Sequence, residues 1–331
     1  NVLNAWDVAR AEGTVTVAVL DTGAYVNHED LAANLDTDNM WDAYNRTERG
    51  TITSSNNPNG DVHGHGTHVA GIVAAEANNA KGIAGASFNA RVLPIKVFDD
   101  SNDPGCETST LAEAYEYLFD LVSQGKVEGL HVINMSLGGY GLDEGDKLFE
   151  SLINKAASDY DIVTVAAGGN GDDWGNPLTD ASYPSDFDAC VSVTALDKNG
   201  GNVEWSDYNE FKDISAPGVS IYSTYNNSKS SYYFLSGTSM ASPLVAGIFA
   251  LLWSVEPSLS VDEAKAAVYE TATPIKGSID RTKPDNNGIV SGSHGAIDAA
   301  AAVEYAIKNF NNDNTSSIRN CTADPVADQM Y

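Results

Sequence analysis

The chain has 331 residues, 42% of them hydrophobic, which at this length is enough apolar material for one large domain with a full core. Its 46 acidic residues against 18 basic ones leave a net charge of −28, which argues against nucleic acid as a partner because no run of phosphates would be neutralised; solubility, a saline habitat, calcium and cationic substrates are all compatible with it. No apolar run approaches the roughly eighteen residues that cross a bilayer, the longest being 245–253, so no membrane span is expected.

In chain order, β-branched runs alternate with helical patterns. VTVAVL (15–20) reads as a strand, 66–78 as a helix, RVLPIKVF (91–98) as a strand, 108–124 as a helix, HVINMSL (131–137) as a strand and 143–158 as a helix. IVTVAA (162–167) and CVSVTA (190–195) follow as strands, then helices at 239–254, 260–271 and 295–308. That order predicts an α/β domain over 1–308, a doubly wound, mostly parallel sheet with helices on both faces. The polar stretch 46–62 reads as a loop, and 309–331, which contains NNDNTSS, as a polar tail or linker. In such folds functional groups collect beyond the carboxyl ends of the strands, where Asp21, Ser136 and Asn170 stand.

HGHGTHVAG (63–71) holds three of the chain's six histidines. His63, His65 and His68 are close enough in sequence to share a zinc ion with a carboxylate. Equally, one of them is a general base for a distant nucleophile, or all three are loop histidines without a role. In SGTSMASPLVAG (236–247) small residues crowd Ser239 just ahead of an apolar helix. Its hydroxyl would project from a tight turn into the positive end of the helix dipole, where developing negative charge is stabilised. Cys106, Cys190 and Cys321 are too few for a disulfide scaffold and too scattered for a zinc cluster; Cys190 reads as a buried hydrophobe, and a bond between Cys106 and Cys321 stays open.

VAVLDTG, HGTHVAG and GTSMASP, in that order, resemble the three signature blocks of the subtilisin-like serine peptidases, the subtilases, and the similarity runs from about Ala5 to Tyr305. The Asp, His, Ser order of subtilisin is matched. The resemblance implies Asp21 as the orienting carboxylate, His65 as the base and Ser239 as the nucleophile, with Asn170 and the Ser239 N–H as oxyanion donors. It makes His68 a packed structural residue and sets His63 beside the catalytic histidine. INMSLGG (133–139) resembles the family segment that pairs with extended substrate backbone. Ser136, Leu137 and Gly138 with Ala167, Gly168 and Gly169 would line the first pocket, Ser182 would stand near its base, and Tyr183–Pro184 resembles a bond that is cis in the family. Asp30 in HEDL and Asn78 and Asn79 in EANNAK match part of a family calcium site, and Asp213 is a candidate for a second, weaker one.

Two departures from the family pattern are Leu244, where a histidine is common, and the absence of a leading segment that helps hold calcium in many relatives. The resemblance implies a secreted serine endopeptidase acting on proteins or peptides, made with a propeptide that is removed, with no cofactor in catalysis and structural calcium as an open expectation. No signal segment stands at Asn1, which fits either an intracellular chain or one whose targeting part has been removed. Asp99, Asp100, Asp103 and Glu107 in one loop and Asp172 and Asp173 in another would rim the cleft and favour Lys or Arg near the scissile bond. The rival readings are a zinc hydrolase on the three histidines, a non-catalytic binding module on the same fold, and an enzyme that transfers the acyl group to an amine.

Overall fold

In the computed structural model, which describes residues 2–10, 15–48, 60–141 and 144–310, α1 (Val2–Ala5) precedes β1 (Thr16–Asp21), β2 (Trp41–Asp42), α2 (His65–Ala74), β3 (Arg91–Lys96) and α3 (Thr108–Ser123). Next come β4 (Leu130–Met135), β5 (Gly139–Tyr140), α4 (Glu144–Tyr160), β6 (Val163–Ala167), β7 (Ser182–Tyr183) and β8 (Cys190–Leu196). The chain continues through β9 (Ile214–Pro217), β10 (Ile221–Tyr225), β11 (Ser231–Leu235), α5 (Thr238–Val255), α6 (Val261–Tyr269) and α7 (Ala299–Phe310).

Seven strands form one sheet in the order β2-β3-β1-β4-β6-β8-β9, and every pairing in it is parallel. From β1 the chain builds outward to β3 on one side and then to β4 and beyond on the other. The winding therefore reverses between β1 and β4, and a crevice opens there beyond the carboxyl ends. Asp21 ends β1 and Ser136 directly follows β4, so both lie at that crevice.

The apolar runs form strands because both faces of this sheet are covered. Along β1, Val17 and Val19 pack into the layer that contains α2, α5, α6 and α7, while Ala18 and Leu20 pack into the layer of α3 and α4. Apolar almost all round, α5 lies at the centre of the first layer. It is the one helix among the described residues long and apolar enough to cross a membrane, and 78% of it is buried inside the domain, as a central core helix must be.

All five strands expected from the sequence form, within one or two residues at most ends. Helix α2 stops at Ala74, earlier than its pattern suggested, because the chain turns out into the 76–83 loop. β2, β5 and β7, two residues each and without a period, and β9, whose last residue is Pro217, leave no strand signal in the sequence. The β10–β11 hairpin leaves none either, because its aromatic and hydroxyl residues do not alternate with polar ones. The 311–331 tail, with Cys321, lies outside the described residues; Cys106 and Cys190 are free thiols.

Candidate active site

Asp21 is 1% exposed, and its Oδ1 accepts the Thr22 N–H (2.7 Å) and the His65 Nδ1–H (2.7 Å). With Nδ1 committed to the carboxylate, Nε2 is the basic nitrogen. Gly66 allows this approach of helix to strand: a Cβ on it would lie 2.2 Å from Gly23 O and 3.1 Å from Asp21 Cβ. Burial pushes the His65 pKa down, but the charge of Asp21, the hydrogen bond to it and the charge of Asp61 outweigh that, so the net pKa is raised.

Asp61, outside the family-like blocks, is a further site residue. Fully buried, it accepts at Oδ1 from Thr22 Oγ1 (2.9 Å), His63 N (3.0 Å) and Gly64 N (2.9 Å), and at Oδ2 from Thr67 N (2.9 Å) and Thr67 Oγ1 (2.5 Å). The helix has a glycine, Gly64, at its cap with no capping side chain of its own, so Asp61 satisfies the orphan amides and supplies the negative charge that a helix start favours. An aspartate four residues ahead of a helix-start histidine is the signal that would have found it.

Ser239 is the second residue of α5, and its Oγ donates to Ser136 O (3.2 Å). Among the described residues it makes no hydrogen bond to His65. Pro243, inside the helix, lacks the N–H that would bond the Ser239 carbonyl, and that oxygen instead accepts from Ser136 Oγ (2.8 Å). The proline thereby ties the serine turn to the end of β4. Asn170 Oδ1 accepts from Thr238 N (2.8 Å) and Thr238 Oγ1 (2.9 Å), which fixes the amide and leaves Nδ2 as a donor. A Cβ on Gly237 would lie 3.6 Å from Asn170 Nδ2 and 3.6 Å from Ser239 N, so the two donors flank one small volume that glycine leaves open.

The expected pocket residues divide. Ser136 turns its hydroxyl into α5 and offers the crevice only its carbonyl. Leu137 lines a cavity of about 340 Å³ with Phe98, Cys106, Leu111 and Phe149, and Gly138, Tyr140 and Tyr183 line the same cavity. Gly168 packs where a Cβ would be 2.8 Å from Val193 O, and Gly169 has φ +107°, so neither tolerates a side chain. Ser182 is buried, donates to Gly168 O (3.3 Å) and accepts from Lys212 Nζ (3.1 Å). Lys212 in turn pairs with Asp186 Oδ1 (2.6 Å), both side chains wholly inside, and burial pushes the lysine pKa down against that pairing. The Tyr183–Pro184 bond is cis.

The three histidines do not converge on a point. His68 is fully buried, with Nε2 3.0 Å from Ile221 O and 3.0 Å from Tyr233 O, and burial pushes its pKa down to about 4. His63 Nε2 is buried without a partner. Among the described residues no three His, Cys, Asp or Glu side chains gather as metal donors.

Of the calcium candidates, Asp30 and Asn79 meet, while Asn78 is exposed in a left-handed turn (φ 62°). Asp30 Oδ1 accepts from Asn79 Nδ2 (2.6 Å), and Oδ2 from Ile83 N (2.9 Å) and Tyr232 OH (3.2 Å). Its oxygens face N–H and O–H donors, a set that does not fit a cation wanting six to eight oxygens. Asp213 accepts from Ser192 N (2.7 Å), and burial pushes its pKa up to about 6. Of the rim acids, Asp100 is paired with Lys96 (2.9 Å), while Asp99 and Asp172 bind amides of their own loops.

A buried carboxylate on an imidazole, with a helix-start serine and two free N–H donors at the same sheet crevice, is the constellation of a serine peptidase. Residues 12–314 match the Subtilase family, and the chain belongs to that family. Thermitase of Thermoactinomyces vulgaris is 37% identical over 273 residues, covering 82% of this chain and 86% of that protein. An Extracellular protease of Xanthomonas campestris pv. campestris is 35% identical over 338 residues, 93% of this chain but 54% of that protein, so the chain spans about half its length. A solved structure described as proteases from Pseudoalteromonas arctica superposes with a TM-score of 0.73 at 32% identity, over 92% of this chain and 94% of that one. The protein is a subtilisin-like serine endopeptidase and, as a subtilase, needs no catalytic cofactor.

Proposed function

We propose that Ser239 is the nucleophile, His65 its general base and general acid, Asp21 the carboxylate that orients the imidazole, and Asn170 Nδ2 with the Ser239 N–H the oxyanion donors. The observation that carries this reading is the 2.7 Å contact between Asp21 Oδ1 and His65 Nδ1, which leaves Nε2 as the base. In this mechanism the Ser239 hydroxyl leaves Ser136 O and turns to His65 Nε2. The serine oxygen then attacks the substrate carbonyl while its proton passes to Nε2, and the oxyanion falls between Asn170 Nδ2 and Ser239 N. His65 gives that proton to the leaving amine, then deprotonates the water that hydrolyses the acyl-enzyme.

Substrate lies as an added strand along 136–138, with Ala167, Gly168 and Gly169 as the facing wall and Ser182 at the base of the first pocket. Residues 1–308 are the catalytic domain. Secretion, supported by the name of the Xanthomonas relative, and maturation from a propeptide complete the reading. A calcium ion at Asp30 is left out of it, because the donors around that carboxylate already fill its oxygens.

A serine-directed sulfonyl fluoride tests the assignment. It should inactivate the enzyme and add its mass to the peptide containing Ser239, with chelators leaving the chemistry in place. Full activity with no adduct, and inactivation by chelation instead, would favour the zinc reading.

A further inference from the structure

Gly138 and Tyr140 lie two residues apart on the extended segment that forms one wall of the first pocket, so their side-chain positions share a face. A Cβ on Gly138 would be 3.2 Å from Tyr183 O, in the paired β7 backbone, and 3.9 Å from Ala167 O of the facing wall. From the same face the Tyr140 hydroxyl donates to Asp207 Oδ2 at 2.6 Å. That carboxylate oxygen stands where a side chain on Gly169 would begin, 2.0 Å from its Cβ position. Asp207 is 1% exposed and is held from behind: its Oδ1 accepts from Leu178 N (2.7 Å), and its own N–H donates to Gly169 O (3.2 Å). Tyr140 is also the register partner of Ser182 in the β5–β7 pair, so the phenol crosses at the level of the pocket base.

The base itself is unusual in charge. Ser182 Oγ accepts from the buried Lys212 ammonium (3.1 Å) and directs its proton to Gly168 O (3.3 Å). No hydroxyl proton is left for a ligand, and the ammonium behind the floor is itself paired with Asp186 (2.6 Å).

Building on the assignment of 136–138 and 167–169 as pocket walls, we propose that the Tyr140–Asp207 hydrogen bond is a bar across the inner end of the first pocket. With the closed Ser182 floor, it restricts the residue on the amino side of the scissile bond to short side chains. A long aromatic or long basic residue would have to displace the phenol. The acidic rim loops act on residues further upstream.

The test is a set of matched peptides with Ala, Leu, Phe or Lys before the scissile bond, cut by the wild type, Tyr140→Ala and Tyr140→Phe. Sites are counted with the serine-directed sulfonyl fluoride, so that rates refer to folded enzyme. The wild type should prefer Ala over Phe and Lys. In Tyr140→Ala the kcat/KM ratio of Phe to Ala should rise by about tenfold or more, the scale of a few methylenes in an apolar pocket. Tyr140→Phe, which keeps the ring and frees it to swing, should show a smaller rise in the same direction. A ranking that stays within twofold in both variants overturns the bar, as does a wild type that already prefers Phe or Lys. Failure of the probe to titrate Ser239 in active wild type would instead sink the catalytic assignment.

Discussion

His68 should make this domain acid-labile by a calculable amount. Its imidazole is fully buried, its Nε2–H is shared between Ile221 O and Tyr233 O, and its Nδ1 is buried without a partner. Protonation would therefore place a charge and an unmet donor inside the packing between α2 and the β10–β11 hairpin. Burial lowers the pKa from 6.5 to about 4, against the backbone hydrogen bonds that raise it. A depressed folded-state pKa gives stability that is complete above the unfolded value, near pH 6.5, and is lost as pH falls toward 4. A difference of about 2.5 units at about 1.36 kcal/mol per unit comes to roughly 3 kcal/mol. The assay is urea unfolding at pH 7 and pH 4 in a Ser239→Ala background, which prevents self-digestion, with and without His68→Gln. The glutamine amide offers the same carbonyls an N–H but does not titrate, so the stability difference between the two proteins should change by about 3 kcal/mol between those pH values. A difference that holds constant within about 0.5 kcal/mol would refute the linkage argument.

Because the base must be neutral and the His65 pKa is raised, the acid limb of kcat/KM should lie above the ordinary histidine value; Asp61→Asn should move it to lower pH, and an unmoved limb would show that Asp61 does not act on the imidazole through charge. Lys212→Met strands the buried Asp186 carboxylate and should cost about 3–5 kcal/mol in urea unfolding; adding Asp186→Leu should not restore it, because Ser182 N and Asn209 Nδ2 then lose their buried acceptor. Asp30→Ala orphans the Asn79, Ile83 and Tyr232 donors and should cost on the order of 2–4 kcal/mol; the loss should be the same in calcium as in chelator, and a calcium-dependent loss would restore a metal to this loop.

The parallel sheet was legible because its strands, covered on both sides, are written as continuous β-branched runs such as VTVAVL and IVTVAA. Asp21, His65, Ser239 and Asn170 could be proposed from the sequence because each lies in a short block dense with glycine and small residues that resembles a signature of the family. Asp61, Asp186, Lys212 and Asp207 left no such trace. Their meaning depends on partners far along the chain: Lys212 on Ser182 and Asp186, Tyr140 on Asp207. The histidine triplet shows the same limit from the other direction. Its spacing allowed a metal site, and only the carbonyls of the β10–β11 hairpin, contributed from beyond residue 220, assign His68 to packing.

The most direct test of the account is the turnover of Ser239→Ala beside the wild type, with unfolding midpoints showing that both are folded. If Ser239 is the nucleophile of a cooperative triad, kcat should fall by about 10⁶-fold, leaving only the residual catalysis of the oxyanion donors and binding. Retention of activity within tenfold of the wild type would contradict the serine mechanism built on Asp21 and His65.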